Sequence, residues 1–359
     1  MSNKKIICLI ASLGSGGAER QISGLATLLK LEGFNVEVWC YNPDLFYGNL
    51  LANNGVTYKC FENAQNKYKR LFVIRKALIR AKPDVVITYL ETPSIIGCIT
   101  KITGGNFKLI TSERNTTQHI SIRDRIRFFL FRFADHIVPN SHTQTEWIKQ
   151  HFPNLQNKLT CITNFVDTSK FVPSTKETDS NNHIKIITVG RVVPQKNVLN
   201  YIKAAKIVLE THPNVKFEWY GNNENQSDYY KQCTAFIDTN SIRNNFSFYP
   251  QNRDIQNVYH SADIFCLPSV YEGFPNVLCE AMCCGLPVVC SNICDNAFIL
   301  GSNAKQFLFN PHSPEEIAKT IIKLIANKDQ FKAIGEQNRT RALNLFSKET
   351  FIDRYSTLI

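Results

Sequence analysis

Several things are missing from this chain of 359 residues. No stretch approaches the run of about 18 apolar residues that would span a bilayer as a helix. The twelve cysteines show no evenly spaced framework, so neither a disulfide scaffold nor a C-x2-C metal site is indicated. There is no Asp-x-Asp pair to demand a divalent cation on a diphosphate. Disordered or fibrous composition is absent too: hydrophobic residues make up 43% and charged residues 20%, the balance of a globular protein. Lys4-Lys5 followed by Ile6–Leu13 looks superficially like a short secretory signal, but the apolar run is minimal and flows straight into a glycine turn and an amphipathic helix. The expectation is a soluble chain that at most lies on a membrane, with its thiols free in a reducing cytosol.

Short β-branched runs alternate with helical patterns. Ile6–Ile10, Val36–Cys40, Val85–Tyr89, Lys108–Thr111 and His136–Pro139 read as strands, with Ala18–Lys30 and Leu71–Ala81 as helices among them. A polar stretch, Ser174–Asn182, then reads as a linker, and the pattern restarts with Ile184–Val189, Lys216–Tyr220, Ile264–Leu267 and Pro287–Cys290. The fold class expected is α/β: two doubly wound, Rossmann-like domains facing each other across a cleft. The boundaries expected are residues 1–172 for the first domain and 173–345 for the second, with 346–359 as a final helix packing back on the first.

The formal charge is +11 and is unevenly spread. Residues 1–170 hold 22 lysines and arginines against 12 aspartates and glutamates, a net of +10; the remainder holds 19 against 18. The cations concentrate around Lys67–Lys82 and in Arg114, Arg123, Arg125, Arg127 and Arg132. The second segment also carries Ile122, Ile126 and Phe128–Phe133. A basic helix with an apolar side suits an anionic membrane surface; a core helix with solvated arginines would read the same way. Nucleic acid is not the expected partner, because the phenylalanines cluster instead of alternating with cations as stacking platforms.

Three motifs could carry chemistry. Gly14-Ser15-Gly16-Gly17 lies between a strand and a helix, where backbone N–H groups can meet an anion. The third glycine of a dinucleotide fingerprint is missing and Cys40-Tyr41-Asn42 offers no ribose carboxylate, which disfavours a nicotinamide enzyme. Gly190-Arg191-x4-Lys196-Asn197 follows the first strand of the second domain and puts two cations in one loop, a forked guanidinium and a point charge, suited to a diphosphate. Pro268-Ser269-x2-Glu272-Gly273-Phe274-Pro275-Asn276-Val277-Leu278-Cys279-Glu280 starts a helix at a strand end, with open amides expected at Asn276–Leu278 and two carboxylates for sugar hydroxyls. Cys279, Cys283, Cys284, Cys290 and Cys294 read as small apolar packing residues.

The spacing Glu272-x7-Glu280 after Gly190-Arg191-x4-Lys196-Asn197 resembles the retaining glycosyltransferases of family 4, with a GT-B fold. Gly16-Gly17-Ala18-Glu19-Arg20, Asn164-x2-Asp167-x3-Phe171 and Glu280-Ala281-Met282-x2-Gly285-x-Pro287 extend the match over nearly the whole chain. The resemblance implies that Arg191 and Lys196 bind the donor diphosphate, Glu280 the ribose and Glu272 the transferred sugar. Gly190, Asn197, Gly273, Phe274, Pro275 and the amides of Asn276, Val277 and Leu278 would line the donor. Gly16 and Gly17 would approach its phosphate, with Tyr220 and Gly221 near the base. It further implies a same-face, metal-independent transfer with no other cofactor. Where many relatives carry a histidine, this chain reads Thr111-Ser112-Glu113-Arg114-Asn115, so Glu113 and Arg114 are candidates, with His119 as an alternative. Asn164-Phe165 and Ser291–Asn296 depart from the family pattern.

Within the family the motifs look most like bacterial transferases that extend glycans on polyprenyl diphosphate, at the inner face of the cytoplasmic membrane. The donor implied is a UDP-sugar, an N-acetylhexosamine or a hexose. The competing readings are a GDP-sugar enzyme acting on lipopolysaccharide core or a glycolipid, and an inactive basic binding protein. Arg123, Arg125, Arg127 and Arg132 are the residues expected to meet the acceptor or the membrane.

Overall fold

A computed structural model describes residues 4–114, 120–174, 183–222, 227–252, 254–302 and 304–359. The chain divides into two compact units, Met1–Phe165 with Lys348–Ile359, and Val166–Ser347.

In the first unit the strands are β1 (Lys5–Leu9), β2 (Asn35–Cys40), β3 (Thr57–Cys60), β4 (Val85–Tyr89), β5 (Lys108–Glu113) and β6 (His136–Pro139). Helices α1 (Gly17–Leu31), α2 (Gly48–Asn53), α3 (Lys67–Ala81), α4 (Glu91–Ile102), α5 (Ile122–Phe131) and α6 (His142–His151) connect or follow them. The sheet is parallel, in the order β3-β2-β1-β4-β5-β6. Its apolar residues point to alternate faces, as the two-residue strand period requires. Ile6, Cys8, Val85 and Ile87 meet α1 on one side, while Ile7, Leu9, Val86 and Leu109 meet α3, α4, α5 and α6 on the other. The chain returns to this unit with the last helix, α14 (Lys348–Ser356). There Phe351 packs on Phe165 at 4.9 Å, and the hydroxyls of Tyr355 and Tyr89 are 2.9 Å apart.

The second unit repeats the plan with β7 (Lys185–Val189), α7 (Val198–Thr211), β8 (Lys216–Tyr220), α8 (Asp228–Thr239), β9 (Phe246–Tyr249) and α9 (Ile255–His260). It continues with β10 (Ile264–Leu267), α10 (Asn276–Cys283), β11 (Val288–Ser291), α11 (Asn296–Leu300), β12 (Leu308–Phe309), α12 (Pro314–Ile325) and α13 (Phe331–Phe346). The order is β12-β11-β10-β7-β8-β9, again parallel.

In each sheet the strand order reverses beside the first strand, at β1/β4 and at β7/β10. The crevice outside the carboxyl ends at such a reversal is where open α/β sheets bind ligands. The glycine turn of residues 14–17 follows β1. Gly190–Asn197 follows β7 and Pro268–Asn276 follows β10, so all three motifs sit at these points. The polar stretch expected as a linker lies, beyond Ser174, outside the described residues.

Candidate active site

The loop after β7 is built by close backbone approach. The Gly190 N–H donates to the Tyr220 carbonyl at 2.9 Å, and the Gly221 N–H to the Tyr249 carbonyl at 3.0 Å. A Cβ on Gly221 would fall 2.0 Å from the Gly190 carbonyl oxygen, so a side chain there is sterically excluded. The Lys196 stem runs over Gly190, within 3.5 Å of where its Cβ would be. Pro194–Lys196 forms one 3-10 turn, which ends at Asn197 in a left-handed conformation. The Asn197 side-chain amide is directed inward, donating to the carbonyls of Pro268 (3.0 Å) and Pro311 (2.6 Å), so its first role is to join loops.

That joining sets the main feature of the unit. Lys196 Nζ lies 2.5 Å from Glu272 Oε1, and the Ser269 hydroxyl donates to the same oxygen at 2.6 Å. Gln195 clamps the two loops: its carbonyl accepts from Val270 N–H at 2.9 Å and its amide donates to the Tyr271 carbonyl at 3.0 Å. Lys196 and Glu272 are mostly buried, whereas Arg191 is exposed and takes no ion-pair partner among the described residues. The Lys196 charge is therefore neutralised within the protein, while that of Arg191 faces solvent.

Glu280 is buried on α10, where its Oε2 accepts from the Tyr259 hydroxyl at 2.9 Å. Of the three amides expected to be open at the start of α10, those of Asn276 and Leu278 require a correction. Asn276 N–H donates to the Phe274 carbonyl and Leu278 N–H to the Pro275 carbonyl, both at 3.1 Å, because the chain turns tightly over Pro275. The side chains of Phe274 and Leu278 also point into the core, Phe274 edge-on to Phe346, so neither presents a side chain to a ligand. Tyr220 keeps its proton: burial first, then the Glu218 carboxylate that accepts from its hydroxyl at 2.7 Å, push its pKa upward.

In the first unit, Gly16 caps α1, and the Glu19 carboxylate already lies against it; a Cβ on Gly16 would meet Glu19 Oε2 at 2.2 Å. Glu113 and Arg114 are consecutive at the end of β5 but diverge to opposite faces, as neighbours on a strand must. Glu113 faces α5, 3.3 Å from Arg127. Arg114 turns the other way, stacks on the Tyr89 ring at 4.4 Å, and donates to Ser112 Oγ (3.2 Å) and Asn164 Oδ1. His119 and Asn115 lie outside the described residues.

Arg127 corrects the expected basic surface. It is 2% exposed, and three carboxylates surround it: Glu91 and Asp124 at 2.9 Å and Glu113 at 3.3 Å. A guanidinium so enclosed cannot face a membrane or an acceptor. Arg123, Arg125 and Arg132 are exposed, with Arg123 3.3 Å from Glu91.

Sequence reasoning gave no role to Ser269 or Tyr259 and read Cys294 only as apolar packing. The Cys294 thiol meets the Glu272 backbone N–H; burial raises its pKa, against the lowering effect of that contact. Only the serine stood in a motif; the other two carry no sequence signal. Cys279, Cys283, Cys284 and Cys290 pack in the core, the thiols of Cys283 and Cys284 pushed up to about 12 by burial.

Comparison with known proteins gives this arrangement its family. The profile described as Glycosyltransferase Family 4 matches residues 15–170, and that described as Glycosyl transferases group 1 matches residues 173–341. The chain belongs to the family 4 glycosyltransferases. It is a transferase with a GT-B fold, similar over 99% of its length to Anabaena Alr3699/HepE, crystallised with UDP and glucose (TM-score 0.85, 20% identity, 98% of that chain). Among named relatives, the transferase is 25% identical to the Escherichia coli UDP-Gal:alpha-D-GlcNAc-diphosphoundecaprenol alpha-1,3-galactosyltransferase, over 81% of this chain and 78% of the other. It is 23% identical to the Campylobacter jejuni N-acetylgalactosamine-N,N'-diacetylbacillosaminyl-diphospho-undecaprenol 4-alpha-N-acetylgalactosaminyltransferase, over 94% and 95%. No helix among its described residues is long and apolar enough to cross a membrane.

Proposed function

We propose that this transferase moves an N-acetylhexosamine or a hexose from a UDP-sugar to a polyprenyl-diphosphate-linked glycan, with retention at the anomeric carbon and without a divalent metal. The reaction takes place at the inner face of the cytoplasmic membrane, in the synthesis of a bacterial surface polysaccharide or glycoprotein glycan. The observation that carries the reading is the Lys196–Glu272–Ser269 cluster at the β7/β10 reversal, with Arg191 exposed in the same loop. The names of the E. coli and C. jejuni relatives, both carrying an undecaprenol-diphosphate acceptor, and the UDP held by HepE support the choice of donor and acceptor.

In this mechanism Arg191 and Lys196 neutralise the diphosphate as the bond to the sugar breaks, where fixed charge lowers the barrier most. Glu272 accepts hydrogen bonds from the sugar and Glu280 from the ribose. The acceptor hydroxyl attacks the face that the diphosphate leaves, and the leaving phosphate takes its proton. Tyr220 and Gly221 hold the base, and the backbone of Gly273, Phe274, Pro275 and Val277 meets the phosphates and sugar. Gly16 and Gly17 offer N–H groups once Glu19 moves aside.

The test is transfer from UDP-N-acetylhexosamines, UDP-hexoses and GDP-mannose to a short polyprenyl-diphosphate glycan, with and without EDTA, with the product linkage read by NMR. An axial-type product from an axial-type UDP donor, formed equally in EDTA, is expected. Inversion, a metal requirement or a GDP preference would each overturn that part of the reading.

A further inference from the structure

The face of the first unit built by α3, α4 and α5 carries two exposed apolar stripes set among cations. On α3, Tyr68 and Phe72 are 75% and 71% exposed and four residues apart, so they share one side of the helix. Lys69 and Lys76 lie on that same side, and all six ionisable Lys and Arg side chains of α3 stand without one acidic residue in the helix. On α5 and its end, Ile122, Ile126, Phe129 and Phe133 recur at helical spacing and are 80%, 55%, 56% and 37% exposed. Arg125 lies on this stripe, and the Arg132 guanidinium rests over the Phe129 and Phe133 rings at 5.1 and 5.8 Å.

Both helices pack on the same face of the sheet, with α4 between them. Each begins at the edge where the strands end, as a right-handed crossover in a parallel sheet requires. The buried Arg127 matters here because it occupies Glu91, Glu113 and Asp124, the carboxylates closest to α5. Arg123 lies 3.3 Å from Glu91 and adds a second cation to that cluster, so the cations left facing solvent on the outer surface are Arg125, Arg132 and the α3 lysines.

We infer that this α3–α5 face docks on an anionic lipid bilayer, with Tyr68, Phe72, Ile122, Ile126 and Phe129 entering the interfacial layer and the cations meeting acidic headgroups. Two features select a bilayer over a protein partner. The cations are spread over two helices instead of being arranged against one complementary site, and exposed apolar stripes run among them, as at a membrane interface. The inference rests on the lipid-linked acceptor proposed above, and it identifies which face of the first unit meets the lipid.

The experiment is co-sedimentation of the full chain with phosphatidylcholine vesicles and with vesicles containing phosphatidylglycerol. Binding only to the anionic vesicles, weakened by salt, is expected. The variant Tyr68→Ser/Phe72→Ser/Ile126→Ser/Phe129→Ser and the variant Lys69→Gln/Lys76→Gln are each expected to bind about tenfold or more weakly. All six positions are exposed, so both variants are expected to melt like the wild type. The apolar variant is also expected to keep wild-type transfer to a water-soluble acceptor. Failure of the wild type to bind anionic vesicles, or undiminished binding by both variants, overturns the inference. So does a wild-type dimer on size exclusion that the apolar variant dissolves, since a second copy would then cover the face. Loss of transfer to every acceptor by the wild type would instead overturn the proposed reaction and leave the vesicle result standing.

Discussion

Lys196 Nζ and Glu272 Oε1 are 2.5 Å apart, joined across 76 residues by two loops that Gln195 and Val270 hold together. The lysine proposed to meet the donor diphosphate is thus already paired with the carboxylate proposed to meet the sugar. Lys196→Ala is expected to lower kcat/KM by about a hundredfold or more, the scale for losing one charge-stabilising donor. Glu272→Ala is expected to abolish transfer while the far-ultraviolet spectrum stays native. Glu272→Gln frees Lys196 from its counter-charge, so it should bind UDP several-fold more tightly although transfer falls. Titration calorimetry with UDP on the three variants checks this; equal UDP affinity in wild type and Glu272→Gln would show that the pair does not compete with the donor.

Arg127 is expected to matter for stability. Removing it leaves Glu91, Glu113 and Asp124 facing one another with no guanidinium between them. Breaking a buried ion pair from one side costs about 3–5 kcal/mol. Arg127→Ala should therefore melt far below wild type, whereas Arg125→Ala, at an exposed site, should melt within experimental error of it. Matching melting temperatures for the two variants would refute the buried network.

Acid should weaken the first unit. Burial opposes ionisation of Asp124 and Asp135, yet both carboxyls sit below their ordinary pKa. Ser121 and Arg127 outweigh burial at Asp124, and Lys101 with the Leu109 N–H does so at Asp135. A carboxyl with a depressed folded pKa stabilises above its unfolded value near 3.9 and loses that contribution as pH falls through the folded value. Melting temperature should hold from roughly pH 6 to about 4.5 and then fall, with a shallower fall in Ser121→Ala. An unchanged slope in that variant would remove Asp124 from the account.

A distant glycine gives an independent check of packing in the second unit. A Cβ on Gly335 of α13 would lie 1.9 Å from the Gly285 carbonyl oxygen, just beyond α10. The obstacle is backbone, so no side chain can move aside. Gly335→Ala should destabilise by about 1–3 kcal/mol, the usual cost of overpacking, despite alanine's better helix propensity. A stabilised variant would show that α13 packs less closely.

Much of this was legible in the sequence because the central strands are dense β-branched runs: β1, β4, β7 and β10 fall within a residue or so of where those runs lie. The strands without such a signal are at or near the edges. β3 reads Thr-Tyr-Lys-Cys and is largely exposed, and β12 is two residues long, so neither needs a continuous apolar pattern. With β3 counted, the run at Lys108–Thr111, fourth among those read from the sequence, becomes the fifth strand, and Glu113 ends it. The motif residues were legible as types, but their partners were not. Nothing near Arg127 in sequence announces Glu91, 36 positions away, and its spacing among Arg123 and Arg125 suggested a shared surface. The amides of Asn276 and Leu278 were unavailable for the same kind of reason, since the tight turn over Pro275 uses them locally.

The most direct test is thermal stabilisation of the purified chain by UDP, UDP-sugars, GDP and GDP-mannose in the presence of EDTA, on wild type and Lys196→Ala. A ligand that binds only the native state at a hundred times its dissociation constant adds about 2.7 kcal/mol, a shift of several degrees. A selective rise with the UDP compounds that survives EDTA and disappears in Lys196→Ala is the expected result. No shift with any nucleotide, or the same shift in the variant, would contradict a donor site at Lys196 and Glu272.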